Sequence, residues 1–302
     1  MRRLALSAFI LLLAIAPAAW AGSIALALSD DSGPYAEFSA TLSDALQGSN
    51  WSVKRSGRPE AVGLPAPRAD LIVTAGSEAL RKVLASGTTL PVIATLLPRQ
   101  SYERIMAEAG RPRSRVTAIT LDQPASRQAS FLRHLLPGQK RIGLLLSEET
   151  QSAVGQFRQS FSAVGLMLDS ENSEDNTASL LAALNGLLPR INVLLAIPDS
   201  TIYKRDNIKA ILVTSYRHQR PVVAYSAAFV KAGALAALYS TPAQIASQTA
   251  ELVVGPAPLP AGAIAPALFA ISVNQNVAQA LGLAIPDEIT IRQGMLAERE
   301  SR

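Results

Sequence analysis

The feature that most constrains this chain is an alternation. From residue 24 onward, short unbroken apolar runs trade places with stretches whose apolar residues recur at helical spacing. "SIALALS", "ADLIVTAG", "LPVIATLL" and "SRVTAITLD" occupy the first half; "KRIGLLLSE", "LMLDS", "INVLLAIPD" and "RPVVAYS" occupy the second. A strand with one face in water alternates polar and apolar residues, whereas one that is apolar at nearly every position is covered on both faces. Between the runs, Tyr35, Phe38, Leu42, Ala45 and Leu46 share a helical face, as do Val154, Phe157, Phe161 and Val164. Buried strands separated by helices predict βαβ units, hence an α/β fold of parallel sheets wound on both sides by helices.

The 302 residues exceed the ~100–200 typical of one domain, so two lobes are expected. The regularity breaks at the proline-rich "GPAPLPAG" from Gly255, which no ordinary helix tolerates and which reads as an extended crossover. A strand, "ALFAISVN", and a helix, "QNVAQALGL", follow it; "PDEITIRQGMLAERESR" closes the chain, its last charged residues expected to fray.

Residues 1–21, "MRRLALSAFILLLAIAPAAWA", carry two arginines, an apolar stretch from Leu4 to Ile15 and small residues at Ala19 and Ala21. That is the pattern of a cleavable secretory signal peptide, and the apolar stretch falls short of the ~20 residues that span a bilayer. There is no cysteine, so neither a disulfide nor a lipid-anchoring thiol is available. A bacterial periplasm fits these facts. The formal net charge is +5, and two of those charges belong to the leader. The remaining cations are scattered and have few aromatic neighbours, which argues against a nucleic-acid surface.

Signals for chemistry are thin. His134 and His218 sit near predicted helix ends, where the helix dipole favours a cation, and neither has metal or triad spacing. "TAGSEAL" lacks the G-x-S-x-G frame, and no P-loop or G-x-G-x-x-G occurs. "DSENSEDNT" lacks the central glycine and final glutamate of a calcium loop. No enzyme, cofactor or metal is expected. What remains is positional: open α/β sheets bind ligands outside the carboxyl ends of their strands. Those ends are polar here: Ser29 to Ser32, Gly76-Ser77, Thr95, Ser147-Glu148, Asp199 to Thr201, and Ser226. Each hydroxyl or acid is equally suited to capping the next helix.

Several motifs carry a resemblance. "LLPGQKRIGLLLSEET", "AIPDSTI", "RPVVAYSAAFVKAGALAAL" and "SVNQNVAQALGLAIP" follow one another between Ser114 and Ile285. Together they resemble ABC-transporter substrate-binding proteins of the type I periplasmic-binding fold, in the branch that includes tryptophan- and tyrosine-binding proteins. Departures are visible: Ser200 stands where asparagine is usual, and Leu97-Pro98 and Thr241 each replace an acid. The link between "WSVKR" and "ADLIV" is also too short for the family's usual helix.

The resemblance implies two lobes joined by three crossings, a first of residues 22–121 plus 232–262 and a second of 122–231 plus 263–302. It implies a monomer that captures a small polar ligand, amino-acid-like or an organic acid, in the cleft between lobes and delivers it to a membrane permease. Ser32, Tyr35, Ser77, Thr95, Asp199 and Ser226 are the expected cleft residues. A ligand-sensing or scaffolding envelope protein with a degenerate cleft, serving an envelope sensor or receptor, is the alternative.

Overall fold

Alternate residues of each central strand feed different hydrophobic layers, and this builds the fold. The structure is a computed structural model that describes residues 21–256 and 258–300; the signal-peptide reading falls on residues 1–20, outside these. Among the described residues no helix is long and apolar enough to cross a membrane.

The first lobe is a six-stranded, all-parallel sheet in the order β11-β5-β4-β3-β1-β2. Its strands are β1 (Gly22–Leu28), β2 (Trp51–Gly57), β3 (Leu71–Ala75), β4 (Val92–Leu97), β5 (Val116–Thr120) and β11 (Gly262–Ile264). Ile24, Leu26 and Leu28 of β1 pack with Phe38 and Leu42 of α1 (Pro34–Ala45) and Ile245 and Ala246 of α10 (Pro242–Val254). Ala25 and Ala27 point the other way, into a layer with Leu80 and Val83 of α3 (Ser77–Ala85) and Tyr102 and Ile105 of α4 (Arg99–Ala109). That is the two-residue period of a strand covered on both faces. Between β2 and β3 there is room only for the single turn α2 (Pro59–Val62).

The second lobe repeats the plan in the order β12-β10-β9-β8-β6-β7, with β12 antiparallel at the edge. Its strands are β6 (Arg141–Leu146), β7 (Met167–Asn172), β8 (Val193–Leu195), β9 (Val222–Ala224), β10 (Ala236–Tyr239) and β12 (Ala270–Val273). Val193 and Leu195 join one layer with Phe131 of α5 (Ala125–Leu135) and Phe157 and Phe161 of α6 (Val154–Ser162). Leu194 joins the opposite layer with Leu184 of α7 (Thr177–Leu187), Ile211 of α8 (Arg205–Arg217) and Phe229 of α9 (Ala227–Ala232). Two further helices, α11 (Gln275–Ala280) and α12 (Glu288–Glu300), follow β12. The C-terminal segment is helical over Glu288–Glu300 and docked: a Cβ on Gly294 would lie 2.6 Å from His134 Nδ1, so α12 lies close against α5; the expected fraying reaches residues 301–302, which lie outside the described residues. His134 is in the last turn of α5 and His218 caps α8, both at helix ends.

The lobe boundaries differ from the expectation. Strand β10 pairs with β9 and β12, so residues 232–239 belong to the second lobe and the chain returns to the first only after Tyr239. Likewise β11 pairs with β5, so the last crossing begins after Ile264, not after residue 262. The alanine-rich "AGALAAL" gave no local mark of which sheet it would join; its pairing partners decided it.

Candidate functional site

Three segments cross between the lobes, and side chains tie them together. Gln123 Nε2 on the first donates to Ser240 Oγ on the second at 2.8 Å, and Ser240 Oγ donates to the Leu268 carbonyl on the third at 2.6 Å. Arg127 Nη1 donates to Gln123 Oε1 at 2.7 Å and to the Pro266 carbonyl at 2.9 Å. Asp122, also on the first crossing, accepts a 2.6 Å hydrogen bond from Arg99 N, the first residue of α4, and so caps that helix from the hinge. Burial pushes the Asp122 carboxyl up to about 6.

In each sheet the strand order reverses beside the first strand, between β1 and β3 and between β6 and β8. A crevice opens at the carboxyl ends of such strands. In the first lobe, Ser29 closes this point: its Oγ accepts from Ala79 N at 2.9 Å, capping α3 from the end of β1. Gly76 lies between them with φ +92°, and a Cβ there would be 2.5 Å from Ser29 Oγ and 2.9 Å from the Tyr35 hydroxyl, so glycine is required by conformation and space alike. Ser77 begins α3 and is half-buried, as is Tyr35. Neither the Tyr35 nor the Ser77 hydroxyl has a hydrogen-bond partner among the described residues. Burial, with Asp30 and Glu78 nearby, raises the Tyr35 phenol above its ordinary range.

In the second lobe the same point is occupied by Asp199, which is only 5% exposed. Its Oδ2 accepts from Ser147 Oγ and Thr150 Oγ1 at 2.7 Å each and from Ser147 N at 3.2 Å. Its Oδ1 accepts from Thr201 N and Ile202 N at 2.9 Å each. Five donors of its own lobe therefore surround the carboxylate, and it pins the turn after β8 to the end of β6. Beside it Tyr203, Tyr225 and Phe229 cluster with ring centroids 5.9 to 6.0 Å apart. Tyr225 is half-buried, and burial together with Asp199 pushes its phenol up to about 12. The Tyr203 hydroxyl is buried with no partner among the described residues, an uncompensated cost unless something reaches it.

The remaining expected residues divide as follows. Thr95 is fully buried and donates to the Thr74 carbonyl at 2.8 Å, so its hydroxyl is spent within the sheet. Its neighbour Leu96 has φ +52° where the β4–β5 register shifts, which kinks the strand end at the cleft. Ser32 is exposed and donates to Asp30 Oδ1 at 3.1 Å. Ser226 caps α9, accepting from Phe229 N at 3.2 Å. Thr241 caps α10 in a reciprocal pair with Gln244, so the hydroxyl that replaces an acid there has a structural use.

Sequence reasoning misses Tyr225, although it directly precedes Ser226 at a strand end, because only the Ser226 hydroxyl fits the pattern of a polar residue between a strand and the next helix. It also misses a contact between lobes: Arg104 Nη1 on α4 meets Glu149 Oε1 at 2.5 Å, and Glu149 Oε2 accepts from Ser200 Oγ at 2.8 Å. This pair joins the carboxyl-end side of one sheet to that of the other, so the two switch points face one gap. Among the described residues no group of histidine, cysteine or acidic side chains is placed to hold a metal.

The sequence matches no curated protein. Solved structures are similar in fold. An ABC domain from Streptococcus pneumonia in complex with L-Trp has 17% identity, covering 89% of this chain and 97% of its own, with a TM-score of 0.58. A conserved domain protein from Vibrio cholerae has 19% identity, coverage of 90% and 98%, and a TM-score of 0.58. A ligand-free, open substrate-binding protein with adhesive properties from Clostridium difficile has 16% identity, coverage of 88% and 96%, and a TM-score of 0.66. Residues 61–295 match the family model of the ABC transporter substrate binding proteins, and the chain belongs to that family.

Proposed function

We propose that this protein captures a small polar organic ligand, amino-acid-like or an organic acid, between its lobes and delivers it to an ABC permease in a bacterial periplasm. The family is one of binding proteins, and no catalysis enters this reading. The observation that carries it is the pair of facing switch points with hydroxyls left over: Tyr35 and Ser77 on one side, Tyr225 on the other. Both lobes touch a ligand in the gap only when closed, so binding draws the open–closed equilibrium toward closure. Ser77, at the start of α3, adds the positive end of the helix dipole to its hydroxyl, which suits a carboxylate. The half-buried ring of Tyr225, backed by the buried rings of Tyr203 and Phe229, suits an apolar portion of the same ligand.

Asp199 takes the role of organiser in this scheme. Ser32, Thr95 and Ser226 also act through the shape of their turns, their polar atoms being engaged within their own lobes. The alternative, a sensing or scaffolding protein with a degenerate cleft, is favoured by the Arg104–Glu149 pair, which ties the two lobes directly to each other by their own side chains.

A thermal-shift screen with amino acids and small organic acids separates the two. A bound ligand stabilises by mass action, so the melting temperature should keep rising with its concentration, and Tyr35→Phe should weaken that rise. A flat response to the whole panel favours the degenerate cleft.

A further inference from the structure

The cavity on the far edge of the first lobe has no part in the cleft. It encloses about 550 Å³ between β1, β2 and the loop that leads into β3. Single-turn α2 covers this edge of the sheet only in part, which leaves the space open.

Three cations line it: Lys54, Arg55 and Arg68. Two are consecutive in sequence, which an ordinary strand would send to opposite faces. The β1–β2 register shifts here, pairing Ile24 with Val53 and Ala25 with Arg55, so Lys54 is the extra residue of a bulge. Bulges re-aim side chains, and this one brings Lys54 and Arg55 to the same cavity. Arg55 is steadied by donating from Nη1 to the Val62 carbonyl at 3.1 Å. The loop is pinned as well: the Arg68 carbonyl accepts from Ser23 Oγ at 3.1 Å, and Asp70 accepts from Ser23 N and Oγ at 2.8 and 2.7 Å.

No acid lines the cavity, and none of the three cations has an ion-pair partner among the described residues. The nearby acid, Asp70, is occupied by Ser23. Ala25 and Ala66 supply an apolar floor, and Ala66 is held at φ +58°, a left-handed conformation costly for a residue with a Cβ. Like charges gathered on one concave surface repel each other unless an anion joins them, and such a surface attracts anions. Guanidinium groups in particular match the two oxygens of a carboxylate.

We propose that this cavity is a second binding site, separate from the inter-lobe cleft, for an organic carboxylate with an apolar body. The carboxylate sits among Lys54, Arg55 and Arg68, and the apolar body lies on the alanine floor. The site needs no closure of the lobes, because all its parts belong to one of them.

The probe is 2-naphthoate, followed by amide chemical shifts of the isotope-labelled protein. Saturable shifts are expected at residues 24–25, 54–55, 63, 66 and 68–69. The double variant Lys54→Gln/Arg68→Gln should bind about tenfold more weakly. Both substituted side chains are exposed, so the rest of the spectrum should be unchanged. A neutral analogue, 2-naphthalenemethanol, should also bind wild type about tenfold more weakly, which tests the charge without any substitution. No saturable shift at this edge, or equal binding of the two naphthalenes, or equal affinity of the folded double variant would overturn the proposal.

Discussion

The two lobes share a strand order and differ at the point where it matters. In the first, one neutral hydroxyl, Ser29 Oγ, caps the helix that starts beside it, and Gly76 lets the backbone pass within reach. In the second, a buried carboxylate collects five hydrogen bonds from two loops. The first is a single bond to one helix and leaves the Tyr35 and Ser77 hydroxyls unspent next to it; the second gathers the Ser147 and Thr150 hydroxyls and three backbone N–H groups onto one carboxylate, and leaves only tyrosine hydroxyls over. A lobe organised by a charge has less to offer a ligand at that spot than a lobe organised by a neutral cap. The acid that looks most like a ligand-binding group is thus the less available one.

Removing each organiser in turn gives the largest effect and breaks the comparison if it is mistaken. Asp199→Ala strands five donors that were paired, several of them buried, and should cost ~3 kcal/mol. Ser29→Ala removes one helix cap and should cost ~1 kcal/mol. Denaturant titration of both variants checks the ratio. Equal losses would mean that Asp199 is only a cap like Ser29, and no loss for Asp199→Ala would free it for ligand.

Much of this architecture was legible in the chain because burial on both faces writes itself as unbroken apolar runs. β3 and β5 are buried at every position, and "LIVTA" and "VTAIT" read that way at once. The lobe assignment of β10 was not legible, since "AALY" is equally at home in either sheet and only its pairing decides. The polar strand ends are visible where each apolar run stops, but not which of their polar atoms stay free. That depends on contacts such as Asp199 with Ser147, 52 residues apart. Arg104 and Glu149 left no local trace for the same reason, with 45 residues and a lobe boundary between them.

The hinge provides the next test, between the two lobes rather than within either. The Asp122 carboxyl is raised from 3.8 to about 6 by burial. A raised carboxyl binds its proton more tightly folded than unfolded, so its contribution is fully present below pH 3.8. It is lost as pH climbs toward about 6 and is level above that. The loss should amount to about 2 kcal/mol once partial exposure is allowed for. Asp122→Asn keeps an oxygen for Arg99 N and removes the titration. Other carboxylates titrate in both proteins, so the difference between their stability–pH profiles isolates Asp122. Wild type should lose stability relative to the variant between pH 4 and 6, whereas parallel profiles would assign no role to this proton.

The smallest effect on stability belongs to the contact that unites the lobes. Arg104 is 46% exposed and Glu149 26%, so Arg104→Gln should change the unfolding free energy by less than ~1 kcal/mol. Its consequence lies elsewhere, because the two groups meet only while the gap between lobes is narrow. Whatever the pair contributes therefore favours the closed arrangement, and losing it shifts the population without weakening either core. Distance distributions between a label on α4 and one on α7 should move outward in Arg104→Gln. The reversed pair, Arg104→Glu with Glu149→Arg, should bring them back, since attraction is restored although both residues have changed. If the single variant leaves the distances in place, closure rests on the crosslinked hinge alone, and Gln123, Ser240 and Arg127 set the angle between two differently organised lobes.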